Sequence, residues 1–341
     1  MQVSTPSISP SISIVITCYN YQEYVGRAID SVLRQTRQDY ELVVIDDGST
    51  DGSWEAIQKY RVRAHRLANG GQRKACIFGV EQTTAPFILF LDADDELLPH
   101  CVEIVLAHLD DNVSKLQFPL LRIDGAGNVI SKAMPPLKSF RSNTLGRSIL
   151  RTGVYQTPPT SGNVFRRNLC SFLSSADYDR AVDGIMLFAA PFFGEVVSLS
   201  EELGLYRVHG RNFTNFNRGL DAKALQFDIT RFEARLAQLQ QILKPLGLDK
   251  KLIDATKTFY VLERSVYLDI ANGSRVSIKR LLKLIVMLLR GQQPWRTKLS
   301  MSVFFIIAAT LPNKPARRCV EYRLKASQRS LSGLFQAAMN R

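Results

Sequence analysis

The sequence lacks several features that would assign it to other classes of protein. Its five cysteines are scattered among 341 residues with no CxxC spacing, so we expect reduced, structural thiols and a cytoplasmic setting. No G-x-G-x-x-G follows the first apolar run, which argues against a dinucleotide-binding fold. Residues 1–10 contain no basic residue and no apolar core, so we expect no signal peptide there.

Long hydrophobic runs are also missing. The longest apolar stretch near the C-terminus, residues 299–311, has about 13 residues, whereas a membrane-spanning helix needs ~20. We therefore expect this stretch to lie in a membrane interface or to pack against the rest of the protein, without crossing a bilayer.

The net charge of +13 is confined to one end of the chain. Residues 241–341 carry 19 Lys and Arg against 5 Asp and Glu, a net charge of +14, while residues 1–240 carry 25 and 26, a net charge of −1. The chain thus has a neutral front part followed by a strongly cationic module, and we expect the two to have different tasks.

The front part alternates between strand-like and helix-like segments. Short apolar runs at residues 12–17, 41–45 and 87–91 predict buried strands. Helical spacing separates them, and such alternation predicts βαβ units and a mainly parallel sheet. A turn at residues 124–128 predicts a hairpin. Ser49 or Thr50 is expected to cap the helix after the second strand.

Two carboxylate clusters follow strands at the same predicted edge of the sheet. Residues 46–51 come directly after one run and residues 92–95 after another, about 45 residues later. Open α/β sheets bind their ligands at the carboxyl ends of strands. Gathered carboxylates repel one another unless a cation or ligand donors offset the charge, so the pattern predicts a site for a metal ion and a nucleotide.

At these residues the chain resembles the family 2 glycosyltransferases with the GT-A fold, of the bacterial exopolysaccharide and lipopolysaccharide type. The matching stretches are residues 13–20, 43–51, 69–72 and 90–95. The resemblance implies an α/β, Rossmann-like GT-A domain at 11–220, with a nucleotide-binding half (11–110) and an acceptor half (111–220). It would follow a flexible N-terminus (1–10) and precede a cationic, mostly helical module (221–341).

The resemblance also implies roles for the residues at the strand ends. Asp47 is expected to accept a hydrogen bond from a base N–H, Tyr19 to stack on the base and Thr17 to close the base pocket. Asp94, as the second carboxylate of the Asp-x-Asp motif, is expected to bind Mn²⁺ or Mg²⁺, with Asp92 facing the ribose. A turn rich in Asp, Gly and Ser is the alternative interpretation, and helix or turn capping alone would explain Asp46, Asp51 and Asp95.

An inverting transferase needs a base, which the family places before an apolar helix late in the domain. Asp183 keeps that position, although Val182 replaces the usual Glu. Asp183 could instead cap the helix, and Asp177 and Asp179 are possible substitutes. A second departure is Cys76, within a segment where many members have Ala-Arg-Asn.

Two further stretches resemble the acceptor side of the family. Ser161, Gly162 and Asn163 are expected to line an acceptor pocket. His209, in a Tyr-Arg-x-His pattern, is expected to close over the diphosphate or the metal, or else to be structural. Arg73 and Lys74 are expected to be exposed helix cations, with a phosphate contact by one of them as the alternative.

The helical spacing of residues 278–290 places apolar residues on a broad arc and Lys279, Lys283 and Arg290 opposite, with Arg280 at the edge. This pattern predicts peripheral contact with an anionic membrane on its inner, cytoplasmic face, or a soluble bundle with a basic surface.

The function predicted is inverting, metal-dependent transfer of a hexose from a nucleotide-sugar, such as a UDP-sugar, to a glycan or lipid-linked acceptor in polysaccharide biosynthesis. The alternatives are a catalytically inactive sugar-nucleotide-binding relative, a nucleotidyltransferase, and a nucleic-acid-binding protein, although no nucleic-acid module is recognisable.

Overall fold

The computed structural model describes residues 11–133, 135–178, 184–210, 220–291 and 293–325, together with Gly333, Gln336 and Met339. The chain divides into two compact units. The first comprises residues 1–150, 154–209 and 241–246, and the second comprises residues 151–153, 210–240 and 247–341. The boundary expected at residue 220 stays a prediction, because residues 211–219 lie outside the described part of the chain.

The strands belong to the first unit and form two sheets. They are β1 (Ile12–Cys18), β2 (Tyr40–Asp46), β3 (Arg63–Arg66), β4 (Phe87–Asp92), β5 (Glu96–Leu97), β6 (Val113–Gln117), β7 (Leu120–Ile123), β8 (Val129–Ser131), β9 (Phe140–Ser142), β10 (Asn163–Arg166), β11 (Glu195–Ser198) and β12 (Gly204–Arg207). The larger sheet has the order β3-β2-β1-β4-β10-β6-β11-β9, and the smaller has the order β5-β12-β7-β8.

The centre of the larger sheet carries the predicted parallel arrangement. β1 is buried along its whole length and pairs in parallel with β2 on one side and β4 on the other. β10 is antiparallel to both β4 and β6. The predicted α/β fold is confirmed, and the three strands that the sequence pattern located lie side by side. The hairpin predicted at residues 124–128 joins the antiparallel strands β7 and β8.

The helices are α1 (Val25–Leu33), α2 (Ser53–Ile57), α3 (Gln72–Glu81), α4 (Cys101–Leu106), α5 (Leu145–Thr152), α6 (Gly184–Ala189), α7 (Ala222–Leu243), α8 (Phe259–Ala271), α9 (Ile278–Arg290), α10 (Trp295–Thr310) and α11 (Asn313–Lys325). One predicted cap is wrong. The N-cap of α2 is Gly52, and it is Asp51 whose carboxylate accepts the Ser53 N–H at 3.0 Å.

Short-range geometry explains the corrected cap. Ser49 accepts the Asn20 N–H at 2.9 Å, and the Thr50 N–H donates to the Asn20 side chain at 2.8 Å. These two residues therefore join the loop after β1 to the loop after β2. Asn20 itself has a φ of 60°, a left-handed conformation that Asn tolerates better than most residues.

The second unit has its own apolar core, built from the C-terminal helices. The core includes Val266 and Tyr267 of α8, Leu284 of α9, Phe305 of α10 and Val320 of α11. The bounds of α9 match the predicted amphipathic segment, and the residues 299–311 that form the apolar stretch fall largely within α10. Within the described part of the chain, no helix is both long and apolar enough to cross a membrane.

Candidate functional site

The carboxyl ends of β1, β2 and β4 meet at one edge of the larger sheet. Thr17 is paired with Asp92, and Cys18 is paired with Asp46. Because the three strands are parallel and in register, the residues that follow them emerge together. Both acidic clusters therefore lie at the same edge, as the sequence pattern predicted.

Asp47 is buried, and both of its carboxylate oxygens accept backbone hydrogen bonds. Gly70 N–H and Gly71 N–H each donate to it at 2.8 Å, and the Asn69 side chain donates to its carbonyl oxygen at 2.9 Å. Gly71 has a φ of +88° and opens α3. Asp47 thus holds the turn before α3. Each carboxylate oxygen retains a second lone pair for a ligand donor.

The neighbouring acids have structural partners. Asp46 is fully buried and forms an ion pair with Arg66 Nε at 3.2 Å, and Asp51 caps the start of α2. Beside them, Thr17 is buried at the end of β1, while the Tyr19 side chain is 45% exposed. Tyr19 is therefore accessible for stacking, whereas Asp46, through Oδ2, and Asp51 form contacts within the protein.

The acidic turn comprises residues 92–95 at the end of β4, and its three carboxylates face different partners. Asp92 Oδ1 accepts a hydrogen bond from Gln72 Nε2 at 2.6 Å. Asp94 Oδ2 lies 2.9 Å from His209 Nε2. Asp95 accepts from Ser161 Oγ at 2.6 Å and from the Arg207 N–H at 3.0 Å. Burial, together with the charges of Asp94 and Asp92, raises the pKa of Asp95 well above its ordinary value.

These residues fit a divalent cation that the donor helps to coordinate. Among the described residues, no group of three or more His, Cys, Asp or Glu side chains is placed to hold a metal ion alone. Asp94 and His209 supply two candidate ligands, and Mg²⁺ usually takes one or two carboxylates plus substrate phosphates and water. Besides burial, the negative charges of Asp94 and Asp92 raise the pKa of Asp95, and a bound cation would offset those charges.

Aromatic rings surround His209. Its ring stacks on Tyr24 at a centroid distance of 5.2 Å and meets Tyr21 edge-on at 5.8 Å. Burial and the charges of Asp94 and Asp92 raise the pKa of Tyr21, which keeps its hydroxyl protonated. Packing against Tyr21 and Tyr24 therefore fixes the position of the His209 ring beside Asp94.

Arg207, two residues before His209, connects several segments of the first unit through its buried side chain. Its guanidinium is fully buried, donates to Asp94 O at 2.9 Å and to Asp124 O at 3.0 Å, and is paired with Glu96. The buried cation thereby joins the acidic turn to the β7–β8 hairpin and fixes the position from which His209 reaches Asp94.

The three residues expected to line an acceptor pocket are buried instead. Ser161, Gly162 and Asn163 have essentially no exposed surface. Ser161 Oγ accepts the Asp92 N–H at 3.1 Å and donates to Asp95, and Asn163 Nδ2 donates to Pro159 O at 2.8 Å. A side chain at Gly162 would approach Phe118 O to 2.5 Å. The side chains of Ser161 and Asn163 are hydrogen-bonded inside the protein, and a role for the three residues toward an acceptor stays a prediction.

Arg73 is largely buried, whereas Lys74 beside it is exposed as predicted. Arg73 donates to Leu173 O at 2.8 Å and pairs with Asp177 at 2.6 Å. This links α3 to the segment that leads toward the candidate base. Asp183 and its substitute Asp179 lie outside the described residues, and α6 begins at Gly184.

Gln72 is the site residue that sequence reasoning missed. It is the first residue of α3, directly after the glycine pair that Asp47 holds, and it orients the Asp92 carboxylate. Its place as the last residue of the matching stretch 69–72, at a predicted helix start, was the available signal.

Comparison with known proteins finds similar sequences and a similar fold. Residues 13–171 match the family model "Glycosyl transferase family 2". An uncharacterized glycosyltransferase of Nostoc sp. is 36% identical over 212 residues, which is 59% of this chain and 66% of that protein. The teichoic acid poly(glycerol phosphate) polymerase of Staphylococcus epidermidis is 26% identical over 259 residues, which is 66% of this chain and 35% of that protein. The chain thus spans just under two thirds of the first relative's length and about a third of the second's.

Among solved structures, S. aureus TarS 1-349 in complex with UDP-GlcNAc aligns with a TM-score of 0.53 and 16% sequence identity. The alignment covers 96% of this chain and 90% of that one. At this level of identity the likeness establishes the fold.

Proposed function

The chain belongs to the family 2 glycosyltransferases with a GT-A fold, and on that premise we propose that it transfers a hexose from a nucleotide-sugar to a glycan or lipid-linked acceptor. The observation that carries the proposal is the meeting of Asp47, Asp92 and the Asp94–His209 pair at one sheet edge. The TarS structure of the same fold was solved with UDP-GlcNAc, which supports a uridine nucleotide as the first donor to test.

The base and the ribose of the donor would contact different residues. Asp47 would accept a base N–H through its remaining lone pairs, beside Thr17 and the accessible ring of Tyr19. Asp92, held by Gln72, would accept from the ribose hydroxyls. Base recognition and ribose recognition would thus lie at the ends of β2 and β4, on either side of β1.

Mn²⁺ or Mg²⁺ would be held by Asp94 and His209 together with the donor's diphosphate. A bound divalent cation offsets the negative charge that develops on the departing nucleoside diphosphate. The protein holds the Asp94 and His209 side chains at a distance of 2.9 Å, and the Tyr21 and Tyr24 rings pack against His209. His209 would leave its hydrogen bond with Asp94, or keep it and orient that carboxylate.

We propose inversion at the anomeric carbon, with Asp183 as the base that takes the acceptor hydroxyl proton. Support comes from its position directly before α6 and from the tether between Arg73 and Asp177 that precedes it. Asp177 is the less suitable base, because its carboxylate is already engaged by Arg73 at 2.6 Å.

The acceptor would lie at a surface rich in anionic groups. The S. epidermidis relative is named for making poly(glycerol phosphate), and the cationic second unit of this chain suits anionic polymers or lipids. We propose peripheral contact with an anionic membrane on its cytoplasmic face, where lipid-linked acceptors are found.

A catalytically inactive relative is the second candidate, favoured by Val182 and Cys76 at positions where the family usually has Glu and Arg. It would bind the donor without hydrolysing or transferring it. A nucleic-acid-binding protein is the remaining alternative, and it would show DNA affinity that falls steeply with salt.

The test is hydrolysis of a panel of nucleotide-sugars with Mn²⁺, with Mg²⁺ and with chelator, beside calorimetric binding of the same donors. Metal-dependent release of a nucleoside diphosphate from one donor is the expected result. Donor binding without turnover for any sugar or acceptor would favour the inactive relative, and absence of both would contradict the proposal.

A further inference from the structure

Helix α9 has two apolar sides, of which one builds the core of the second unit. Leu284 and Leu288 are buried in that core with residues of α8 and α10. Leu281 is partly buried against the same cluster. The broad apolar arc read from the sequence is therefore divided, because packing uses only part of it.

The other apolar side is exposed. At 3.6 residues per turn, four side chains of α9 fall within an arc of about 80°. They are Ile278 (73% exposed), Leu282 (58%), Val286 (43%) and Leu289 (53%). A helix that only had to pack on its own core would carry polar residues here. An aligned group of exposed apolar side chains is typical of an interaction surface.

Cations border this arc on one side. Lys279, Lys283 and Arg290 are exposed and lie at about 20–60° beyond its edge by the same helical geometry. Arg280 does not belong to this border, because it pairs with Asp269. Residues 270–320 contain ten Lys and Arg and no Asp or Glu, so the surroundings favour an anionic partner.

The start of α10 extends the exposed apolar surface. Lys298 Nζ donates to Leu289 O at 2.8 Å, which places the first turns of α10 beside the end of α9. Trp295 is 69% exposed and Leu299, one turn later, is 55% exposed. Trp is enriched where proteins meet the boundary between membrane and water.

We propose that this docking face, formed by Ile278, Leu282, Val286, Leu289, Trp295 and Leu299 and bordered by Lys279, Lys283 and Arg290, lies in the headgroup region of an anionic bilayer. The inference rests on the proposed membrane contact and names the surface that makes it. Apolar side chains beside a row of cations suit a helix lying parallel to the membrane. A second copy of the chain suits the face less well, because pairing would bring two basic borders together.

The fluorescence of a variant with one tryptophan measures insertion of the docking face into the bilayer directly. The protein has two tryptophans, Trp54 and Trp295, so Trp54→Phe leaves Trp295 as the only one. With vesicles of phosphatidylcholine and phosphatidylglycerol, we expect a blue shift of its emission and quenching by lipids brominated in the acyl chain. Vesicles of phosphatidylcholine alone should give much weaker changes. An unshifted, unquenched Trp295 in protein that co-sediments with anionic vesicles would contradict the proposed face.

Paired substitutions separate the two parts of the face in a co-sedimentation assay with the full-length chain. Lys279→Gln with Lys283→Gln should weaken binding about 25-fold, at about fivefold for each cation removed near an anionic surface. Leu282→Ser with Leu289→Ser should weaken it about tenfold or more through lost apolar burial. Because these side chains are exposed, the variants should melt within a few degrees of the wild type.

Matched controls lie in the first unit. Val129→Ser with Ile130→Ser removes two equally exposed apolar side chains, and Lys59→Gln removes an exposed cation; both should bind vesicles like the wild type. If the face variants also bind normally, the face is wrong although membrane contact stands. If the wild type itself does not bind, the proposed membrane contact fails. If Leu282→Ser with Leu289→Ser instead dissociates a dimer and leaves vesicle binding unchanged, the occupant is a second copy and the proposal is overturned.

Discussion

Asp94 and His209 are 115 residues apart in the chain, and their side chains meet at 2.9 Å. The contact joins the acidic turn after β4 to the segment after β12. Arg207 stabilises this contact by donating a hydrogen bond to the Asp94 carbonyl oxygen. The pair is therefore held by the fold before any ligand binds, which reduces the entropy that a metal or a donor must overcome on binding.

Asp94→Asn should abolish the Mn²⁺-dependent part of UDP binding and leave the fold intact, because the amide keeps the shape but not the charge. His209→Gln should weaken Mn²⁺-dependent binding about 10–100-fold, as loss of a ligand or its partner does. Calorimetry with UDP and Mn²⁺ measures both. Asp39→Asn, at the opposite end of β2 and paired with Arg37, is the control and should change nothing. Unchanged metal dependence in Asp94→Asn would rule out this ligand.

Asp183→Asn should lower transfer by ~10²-fold or more while donor affinity survives, because the amide cannot accept the acceptor's proton. Single-turnover transfer and donor Kd are the two measurements. Asp177→Asn is the matched control, since Asp177 forms an ion pair with Arg73. Near-normal transfer by Asp183→Asn would move the base to Asp179 or Asp177.

Gln72→Ala should weaken donor binding about tenfold, because a hydrogen bond to a charged carboxylate is lost and Asp92 loses its orientation. The loss should be of similar size with and without Mn²⁺, which distinguishes it from the effect of Asp94→Asn. Gln58→Ala, at an exposed position after α2, should bind normally. Donor affinity that is unaffected in Gln72→Ala would make the contact with Asp92 unimportant for binding.

Arg207→Met should lower the free energy of unfolding by about 3–5 kcal/mol, because it leaves Glu96 and several buried carbonyl groups without their donor. Arg207→Lys should recover little, since one ammonium group cannot reach the partners on both sides of the guanidinium. Urea denaturation measures each change. Arg61→Met, at an exposed position, should stay within about 0.5 kcal/mol of the wild type.

The cysteines should resist alkylation in the folded protein. All five are free and buried, and burial raises the pKa of Cys18 and of Cys170 to about 12. Since the thiolate is the reactive form, iodoacetamide should label native protein slowly at neutral pH and label all five sites in denaturant. Rapid labelling of a native cysteine would show that its burial is transient.

The sequence by itself determined where the three central strands lie and at which edge of the sheet the candidate site is found. Apolar runs such as Leu42–Ile45 and Phe87–Leu91 end in carboxylates, and a parallel arrangement brings such ends together. These are local patterns of hydrophobicity and turn residues, which operate within a few neighbours. They were enough to locate the two carboxylate clusters, and the family resemblance then singled out Asp47, Asp92 and Asp94, whose roles remain predictions.

Only the tertiary structure decided which side chains face inward and which partners they meet. Ser161 and Asn163 look like a polar surface turn in sequence but are buried against the acidic turn, because β10 inserts beside β4. The apolar residues of α9 look like one face, yet Leu284 is covered by the second unit's core while Leu282 is exposed. A hydrophobic pattern specifies that a residue favours burial, but only the packing of distant elements decides whether anything covers it.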